Sequence, residues 1–277
     1  MDNRSLWLIA PSQFWTRNYL QYHPDMIAAD RDRLFVNSEG VGLIKIRGVM
    51  DKFEGWNTSY LGSVVRARQA VLSALNDKDV SALMLVLDTP GGSVDGLSEL
   101  GDAVYKARQS KMVVAQVDGM AASAGYYVAS QADKIYAHRM DMVGSIGTRM
   151  MLYDFHKMFE KEGVEAVPID TGKFKSAGAE GTEITKEQRA DFQRIVDTYY
   201  QDFLNMISRG REMDVKNVKP LADGRVFIGQ EAVDNGLIDG LQTFEETYAQ
   251  IRQAVVESQG TPRRDRASRK IRLAAVS

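Results

Sequence analysis

The 277-residue sequence contains no cysteine and only three histidines. The absence of cysteine excludes a disulfide scaffold, a thiolate zinc site and a cysteine nucleophile. Histidine, aspartate and glutamate form no clustered motif, so we expect neither a metal ion nor a cofactor. No apolar run reaches the roughly 18 residues that a membrane span needs. The apolar stretch at residues 5–10 is also too short for a secretory signal, so we expect a cytoplasmic protein that crosses no membrane.

Neither sign of charge predominates in the chain. There are 35 Lys and Arg against 37 Asp and Glu, and the isoelectric point is about 6.0. The body of the protein therefore offers no general attraction to nucleic acid. The exception is residues 258–277, which hold six cations and one acid. Such a segment has little apolar surface to bury, so we predict a basic disordered tail; the alternative is a tail that docks on a partner or contacts nucleic acid.

Apolar segments typical of strands alternate with segments of helical spacing. The predicted strands are residues 41–47, 83–87, 112–117, 135–137 and 226–229, and the predicted helices are 61–75, 95–109, 121–131, one after Met150 and one after Thr185. This alternation predicts an α/β fold, a mostly parallel sheet covered by helices. We place this domain at residues 41–257, after a helical, charged N-terminal extension at residues 1–40.

Two predicted helices near the end of this domain carry further signals. Thr185-Lys-Glu-Gln188 has the form of a capping box, and Gly236 is placed to end a short helix that starts at Gln230. The helix after Thr185 carries one apolar stripe, which predicts core packing or, in part, a subunit interface. The stripe consists of Phe192, Ile195, Val196, Tyr199, Phe203, Met206 and Ile207.

A single serine, Ser123, stands among small residues in the run Asp-Gly-Met-Ala-Ala-Ser-Ala-Gly-Tyr-Tyr at residues 118–127. The apolar run before it is typical of a buried strand, and the residues after it are typical of a first helical turn. A serine at this junction can point its hydroxyl into a cleft beside helix N–H groups, which suits a nucleophile and the oxyanion it creates. The simpler interpretation is that the small residues serve close packing.

A second segment, Leu-Asp-Thr-Pro-Gly-Gly-Ser at residues 87–93, ends an apolar strand with Gly91 and Gly92. Glycine lets the backbone adopt positive φ and approach a ligand closely. The N–H groups of such a turn can face a developing negative charge. The same residues would also serve as a plain tight connection between a strand and a helix.

A third segment, Thr-Gly-Lys-Phe-Lys-Ser at residues 171–176, supplies two lysines. A lysine is normally a solvated charge, and it acts as a general base only where burial lowers its pKa toward neutrality. This glycine-containing segment follows an apolar run at residues 164–169. It could therefore fold into a cleft.

Four motifs together carry a family resemblance: Asp-Thr-Pro-Gly-Gly-Ser, Ala-Ala-Ser-Ala-Gly-Tyr-Tyr, Val-Gly-Ser-Ile-Gly and Thr-Gly-Lys-Phe-Lys-Ser, in that order. With them, residues 40–250 resemble the signal peptide peptidase A-type Ser–Lys peptidases, a family that includes phage prohead proteases. The resemblance implies a ClpP/crotonase-like fold. It also implies a serine endopeptidase that acts on peptide or protein substrates through an acyl-enzyme, in capsid maturation or in general peptide degradation. For a phage-encoded member, the location would be the host cytoplasm or the procapsid.

The resemblance assigns the nucleophile to Ser123 and the general base to Lys175. Lys173 is the rival base, because a residue two positions earlier shares a face in an extended segment. The chain shows no internal repeat and so resembles the half-length members of the family. In such members the serine and the lysine of one site come from different subunits. The resemblance therefore implies a homo-oligomeric ring with shared sites.

The remaining roles fall on backbone groups and a second serine. The N–H groups of Gly92 and Ala124 match the two oxyanion donors of the family. Ser145 matches a serine whose hydroxyl holds the lysine amine, although it could equally be an ordinary turn serine. The lack of a membrane anchor departs from the signal peptide peptidases proper. This departure argues against a signal-peptide substrate and favours a cytosolic or phage-assembly role.

Histidine usage is a separate argument for a lysine base. A Ser-His-Asp hydrolase needs a histidine close to its serine, and the related Clp-type peptidases carry theirs just after the next strand. Here that place falls near residues 144–147, which contain none. Lysine is the available substitute. We expect His23, His138 and His156 to be surface or structural groups.

Two other classes of function share this architecture. A crotonase-type acyl-CoA enzyme would stabilise a thioester enolate and would need an acidic group, with Asp118 or Glu180 as the candidates. A non-catalytic assembly protein would keep the fold only to form a ring. Both alternatives stay open because a fold does not fix a function.

Overall fold

The structure is a computed structural model, and it describes residues 7–9, 34–36, 40–52 and 62–259. The strands within these residues are β1 (Trp7–Ile9), β2 (Leu34–Val36), β3 (Val41–Arg47), β4 (Ala82–Thr89), β5 (Gly91–Ser93), β6 (Met112–Ala122), β7 (Lys134–Ala137), β8 (Met142–Gly144), β9 (Val226–Ile228) and β10 (Gly240–Leu241). The helices are α1 (Val64–Asn76), α2 (Leu97–Ala107), α3 (Ala124–Ala129), α4 (His156–Lys161), α5 (Lys186–Arg211), α6 (Val215–Val218), α7 (Gln230–Asp234) and α8 (Phe244–Gln259). In this part of the chain, no helix is both long and apolar enough to span a membrane.

The described residues form two compact units. The smaller unit contains Trp7 and residues 148–202, and the larger unit contains the rest. An eight-stranded sheet in the larger unit has the order β10-β7-β6-β4-β3-β2, and β8 pairs with the second half of β6 and with β9. The β2–β3 and β8–β9 pairs are antiparallel, and the other pairs of this sheet are parallel. The predicted mostly parallel sheet is therefore confirmed.

Strand β4 forms the centre of the core. Its side chains from Ala82 to Leu87 are almost completely buried on both faces of the sheet, which explains its continuous apolar sequence. On one face, Met84 and Val86 pack in a cluster with Ile251 and Val255 of α8. Since the opposite face is buried as well, helices and loops must cover both sides of this strand.

Helix α8 is also fixed by a buried polar network. The Thr247 hydroxyl contacts the Gln116 Oε1 atom on β6 at 2.5 Å, and the Gln116 Nε2 atom donates to the Val117 and Gln242 carbonyls. Thr247 and Gln116 are buried. A buried polar group that lacks a partner is costly, so these paired groups favour one position of α8 on the sheet.

The smaller unit contains α4, the turn that precedes α5, and the first half of α5. The capping box is confirmed: the Gln188 N–H donates to the Thr185 hydroxyl, and the Thr185 N–H donates to the Gln188 Oε1 atom, both at 3.2 Å. Several large apolar side chains of this unit are exposed, and Ile169 is 96% exposed. They are Met151, Tyr153, Met158, Val164, Val167, Ile169, Phe174 and Tyr199.

The apolar stripe of α5 is therefore buried only in part. Phe203, Met206 and Ile207 lie in the core of the larger unit, whereas Tyr199 is exposed. Core packing thus accounts for the last turns of the helix. The earlier positions keep the interface interpretation open.

Several predicted boundaries need correction. The strand predicted at residues 112–117 continues to Ala122, because its second half pairs with β8, so the following helix begins only at Ala124. The helix expected after Met150 begins at His156. The helical prediction for residues 1–40 is wrong where it can be compared: residues 7–9 and 34–36 are strands, and the latter pairs with β3.

The predicted tail lies almost wholly outside the described residues. Its first two residues belong to α8, which ends at Gln259 and was not predicted from the sequence. The short helix at Gln230 is confirmed, with Gly236 just after its end. The Gly236 and Leu237 N–H groups donate to the Val233 and Ala232 carbonyls, both at 2.9 Å, which is the Schellman arrangement that glycine favours.

Candidate active site

Ser123 is the single residue between the end of β6 and the start of α3. Its backbone has φ 54° and ψ −117°, a conformation that glycine adopts readily and that strains other residues. The Ser123 N–H donates to the Gly144 carbonyl at 2.7 Å, and its own carbonyl accepts from the Tyr127 N–H at 2.9 Å. The chain thus turns sharply from strand to helix at this serine, whereas the sequence predicted a junction a few residues earlier.

The hydroxyl of Ser123 is unusual in its surroundings. The residue is 1% exposed, and its Oγ atom has no hydrogen-bond partner among the described residues. Buried hydroxyls nearly always find a partner, so an unpaired one requires an explanation. Backbone strain and an unpaired buried hydroxyl occur together at this one residue, which is typical of a site held ready for chemistry.

Strand β5 is buried beside helix α3, and its two backbone edges face different neighbours. On its first edge, the Gly91 carbonyl accepts from the Met50 N–H and the Ser93 N–H donates to the Met50 carbonyl, both at 2.8 Å. Neighbouring residues of a strand direct their hydrogen-bonding groups to opposite edges. The N–H and C=O of Gly92 therefore point away from Met50.

Gly92 is required at its position for a steric reason. A Cβ atom on Gly92 would lie 1.7 Å from the Met50 carbonyl oxygen, a distance that no relaxation of a flexible side chain could relieve. The second glycine of the pair is therefore fixed by the close approach of another backbone segment. The oxyanion role predicted for Gly92 depends on its N–H group, which lies on the edge of β5 that faces away from Met50.

The packing of β4 against α3 brings β5 close to Ser123. Thr89, the last residue of β4, is in register with Ala121 of β6. A Cβ atom on Gly125 would lie 2.5 Å from the Thr89 Cγ2 atom, so the small residue after Ala124 allows this close contact. Helix α3 also contacts β5. The N–H of Ala124 belongs to the first turn of α3, whose N–H groups have no partner within the helix.

Ser145 lies at the end of the neighbouring strand. Ala122 and Gly144 are register partners in the parallel β6–β8 pair, so Ser123 and Ser145 are the next residues on two adjacent strands. Ser145 is buried and has φ 49°, and its N–H donates to the Arg225 carbonyl at 2.7 Å. The larger unit thus brings the two serines together.

Lys175 and Lys173 belong to the smaller unit. Lys175 lies in an exposed turn, where its N–H donates to the Gly172 carbonyl at 2.9 Å. Lys173 is also exposed and is ion-paired with Glu187. Neither lysine is therefore buried within the smaller unit.

Tyr126, in the first turn of α3, holds this helix in place. It is completely buried, and its hydroxyl donates to the Leu237 carbonyl at 2.7 Å. Burial raises the pKa of Tyr126, so the hydroxyl stays protonated and remains a donor. Tyr126 belongs to the Ala-Ala-Ser-Ala-Gly-Tyr-Tyr motif, but the sequence did not indicate its anchoring role, because the Leu237 carbonyl is distant in the chain.

A partly buried ion cluster lies near Tyr126. Asp239 accepts from Arg211 at 2.7 Å and from Lys134 at 2.9 Å, and it also accepts from the Ile135 N–H. Burial alone would raise the pKa of Asp239, but Arg211 and the other hydrogen bonds lower it overall. This carboxylate therefore remains charged and joins β7 to the end of α5.

The acids considered for an acyl-CoA enzyme do not form a catalytic arrangement. Asp118 is exposed and pairs with Arg47 at 2.8 Å, and Glu180 is exposed in the smaller unit. Asp141, which the sequence did not indicate, is more enclosed. Burial raises the pKa of Asp141, and the Asp118 charge adds to this, while the His138 N–H opposes it.

The histidines have the expected character where they are described. His138 is exposed, and the Nδ1 atom of half-buried His156 lies 3.3 Å from the Gly181 carbonyl. His23 lies outside the described residues. Within those residues, no group of three or more His, Asp or Glu side chains is placed to hold a metal ion.

The chain is similar in sequence to a peptidase family and to several proteases. Residues 105–257, more than half of the chain, match peptidase family S49. A protein assigned as a protease in Methanocaldococcus jannaschii is 32% identical over 64% of this chain and 57% of its own length. Protease 4 of Haemophilus influenzae is 31% identical over 69% of this chain and 31% of its own length.

A phage protein and a solved structure are also similar. Capsid assembly protease C of Escherichia phage lambda is 31% identical over 72% of this chain and 44% of its own length. The chain thus spans less than two thirds of each of these three relatives. A crystal structure of an enoyl-CoA hydratase/isomerase family member aligns over 84% of this chain and 78% of its own, with 16% identity and a TM-score of 0.46.

Proposed function

Since the chain belongs to peptidase family S49, we propose that it is a serine endopeptidase in which Ser123 is the nucleophile and Lys175 the general base. The observation that carries the proposal is Ser123 itself. It is a strained, buried serine with an unpaired hydroxyl among the described residues, placed between a strand and a helix. Within the part of the chain that the structure describes, no hydrogen bond requires a side-chain oxygen at that position.

The proposed reaction has two halves. In the first, the neutral Lys175 amine takes the proton from the Ser123 hydroxyl while Oγ forms a bond to the carbonyl carbon of the substrate. The N–H groups of Gly92 and Ala124 hold the resulting oxyanion, and each contributes about 3 kcal/mol. The protonated lysine then gives its proton to the leaving amine as the C–N bond breaks, which leaves an acyl-enzyme.

In the second half, water replaces the amine. Lys175 accepts a proton from the water, whose oxygen attacks the acyl carbon, and the lysine returns that proton to the Ser123 oxygen as the ester bond breaks. Ser145, next to Ser123 across the β6–β8 pair, is proposed to hold the lysine amine. Both halves need the lysine uncharged, so activity should fall when acid protonates it.

We further propose that the lysine comes from a second copy of the chain. Lys175 is exposed, and apolar side chains such as Val167 and Ile169 are exposed shortly before it. Exposed apolar groups of this kind mark interaction surfaces. Association through them would bury Lys175, and burial favours the neutral form of a lysine. This arrangement fits the homo-oligomeric ring expected from the sequence.

The decisive experiment compares matched variants. Wild type, Ser123→Ala, Lys175→Ala and Lys173→Ala are each incubated with a denatured protein mixture, the cut sites are mapped, and a serine-reactive phosphonate is used to label the site. Cleavage should be lost in Ser123→Ala and Lys175→Ala and kept in Lys173→Ala. Loss in Lys173→Ala with retention in Lys175→Ala would reassign the base.

Mixing the inactive variants tests the shared site. Folded Ser123→Ala and Lys175→Ala chains, combined before assembly, should recover part of the activity, because some sites then receive an intact serine and an intact lysine. No recovery in mixed oligomers would argue for a site within one chain. The rise of activity toward basic pH should also be absent in any residual activity of Lys175→Ala.

The biological setting is proposed from the relatives. Similarity to a phage capsid assembly protease supports a role in capsid maturation, in the host cytoplasm or the procapsid, and general peptide degradation is the alternative. No second class of activity gains support from the site. The exposure of Asp118 and Glu180 disfavours an acyl-CoA enzyme, and labelling of Ser123 by a phosphonate would exclude a purely structural ring protein.

A further inference from the structure

Strand β5 has a second partner besides Met50. Strand β1 (Trp7–Ile9) pairs with β5 (Gly91–Ser93) in a separate two-stranded sheet. These two strands are more than 80 residues apart in the sequence. An N-terminal segment of the chain therefore returns to the glycine turn that carries one of the proposed oxyanion donors.

The available edge of β5 is the one that contains the Gly92 groups. The Gly91 carbonyl and the Ser93 N–H are already bonded to Met50. Because alternate residues of a strand serve opposite edges, a second strand must use the N–H and C=O of Gly92. Strand β1 thus occupies the backbone groups that the mechanism assigns to the oxyanion and to the adjoining part of an extended substrate.

Proteins that bind extended peptides commonly do so by adding a strand to a free sheet edge. A free edge of this kind is a general acceptor for extended chains, and proteins tend to cover it. We infer that residues 7–9 act as an internal competitor, a strand of the chain itself that occupies the substrate edge of β5 and restrains access to Ser123 until it is displaced. This inference rests on the proposed peptidase function.

The competitor is suited to displacement. Strand β1 is three residues long and pairs only with β5, itself three residues long, within the described part of the chain. A two-stranded ribbon of this length is marginally stable in water. A longer extended substrate with more backbone groups to pair would therefore compete effectively. The strand would lower activity toward poor substrates more than toward good ones.

A pair of double variants tests the inference in the full-length chain. Leu8→Pro/Ile9→Pro removes two adjacent N–H groups, at least one of which faces β5, and fixes φ at values unsuited to the strand. Leu8→Val/Ile9→Val keeps both donors and the strand propensity. The valine variant is therefore the matched control.

Residue-resolved hydrogen–deuterium exchange measures the pairing without reference to catalysis. In the proline variant the Gly92 amide should exchange about tenfold faster than in the valine variant, because the state in which β1 covers this amide is no longer populated. The Ser93 amide should be unchanged, since its bond to Met50 persists, and this also checks that β5 stays folded. Equal exchange of Gly92 in the two variants would overturn the inference.

The rate of Ser123 labelling by a phosphonate measures access. It should be about tenfold higher in the proline variant, since the reactive fraction sets the apparent rate. An added peptide with the sequence of residues 1–12 should slow labelling of that variant again. Faster Gly92 exchange without faster labelling would overturn the inhibitory role. Absence of labelling in every variant would instead overturn the peptidase proposal, and the exchange result would still decide whether β1 covers the edge.

Discussion

The backbone at Ser123 makes a prediction that separates strain from catalysis. With φ 54° and ψ −117°, the residue occupies a conformation that costs a non-glycine residue about 1–3 kcal/mol. Ser123→Ala and Ser123→Gly both lack the hydroxyl, so both should be inactive if Ser123 is the nucleophile. They differ in whether the backbone strain persists. The prediction is that Ser123→Gly is the more stable of the two.

The magnitude follows from two opposing contributions. Glycine relieves about 2 kcal/mol of strain at this position, and its greater freedom in the unfolded chain costs about 0.5–1 kcal/mol. Ser123→Gly should therefore be more stable than Ser123→Ala by about 1 kcal/mol. In a chain of this size, that difference corresponds to a Tm about 2–4 °C higher.

The next residue provides the matched control. Ala124 is buried and is the first residue of α3. Ala124→Gly should lower stability by about 1–2 kcal/mol, because glycine is a poor helix former and a buried methyl group is lost. Glycine in place of alanine should thus raise the stability at residue 123 and lower it at residue 124. Urea unfolding followed by circular dichroism measures both effects. If Ser123→Gly is no more stable than Ser123→Ala, the assignment of strain to this serine is refuted.

Two further predictions concern the surroundings of the site. Gly92→Ala should destabilise the fold by more than about 2 kcal/mol and abolish cleavage, because its Cβ atom would collide with the Met50 carbonyl. The control is Gly172→Ala, whose Cβ atom would meet no atom within 4 Å and which should leave thermal unfolding unchanged. Equal thermal stability of the two variants would contradict the close approach of Met50 to Gly92. The pKa of Asp239, which lies beside Arg211, is lowered in the folded protein. The charged carboxylate therefore stabilises the fold fully above about pH 4, and this stabilisation is lost as the pH falls through the pKa of the folded state. Asp239→Asn should flatten this acid limb of the unfolding free energy, and an unchanged limb would show that another group controls it.

The sequence predicted those features that depend on neighbouring residues. The capping box from Thr185 to Gln188 and the helix end at Gly236 are local, and both are confirmed. The apolar run at residues 83–87 predicted strand β4 for the same reason. A strand-to-helix junction close to residue 123 was also readable from the apolar run and the small residues that follow it, although its exact position was not.

Other features depend on groups far apart in the chain, and local pattern gave no sign of them. The extension of β6 to Ala122 requires β8, and the anchoring of Tyr126 requires the Leu237 carbonyl. The N-terminal strand β1 lay in a segment predicted to be helical, and it is a strand because β5 offers it an edge. Each of these depends on a partner whose position is fixed only after folding.

The sequence by itself determined the alternation of the main strands and helices, the family resemblance and the candidate residues, since these follow from residue type and spacing. Only the tertiary structure decided that Ser123 is strained with an unpaired buried hydroxyl, and that the Gly92 edge turns away from Met50. The physical reason is that strain, burial and hydrogen-bond satisfaction are properties of an environment. That environment is assembled from strands distant in sequence and cannot be read from any one of them.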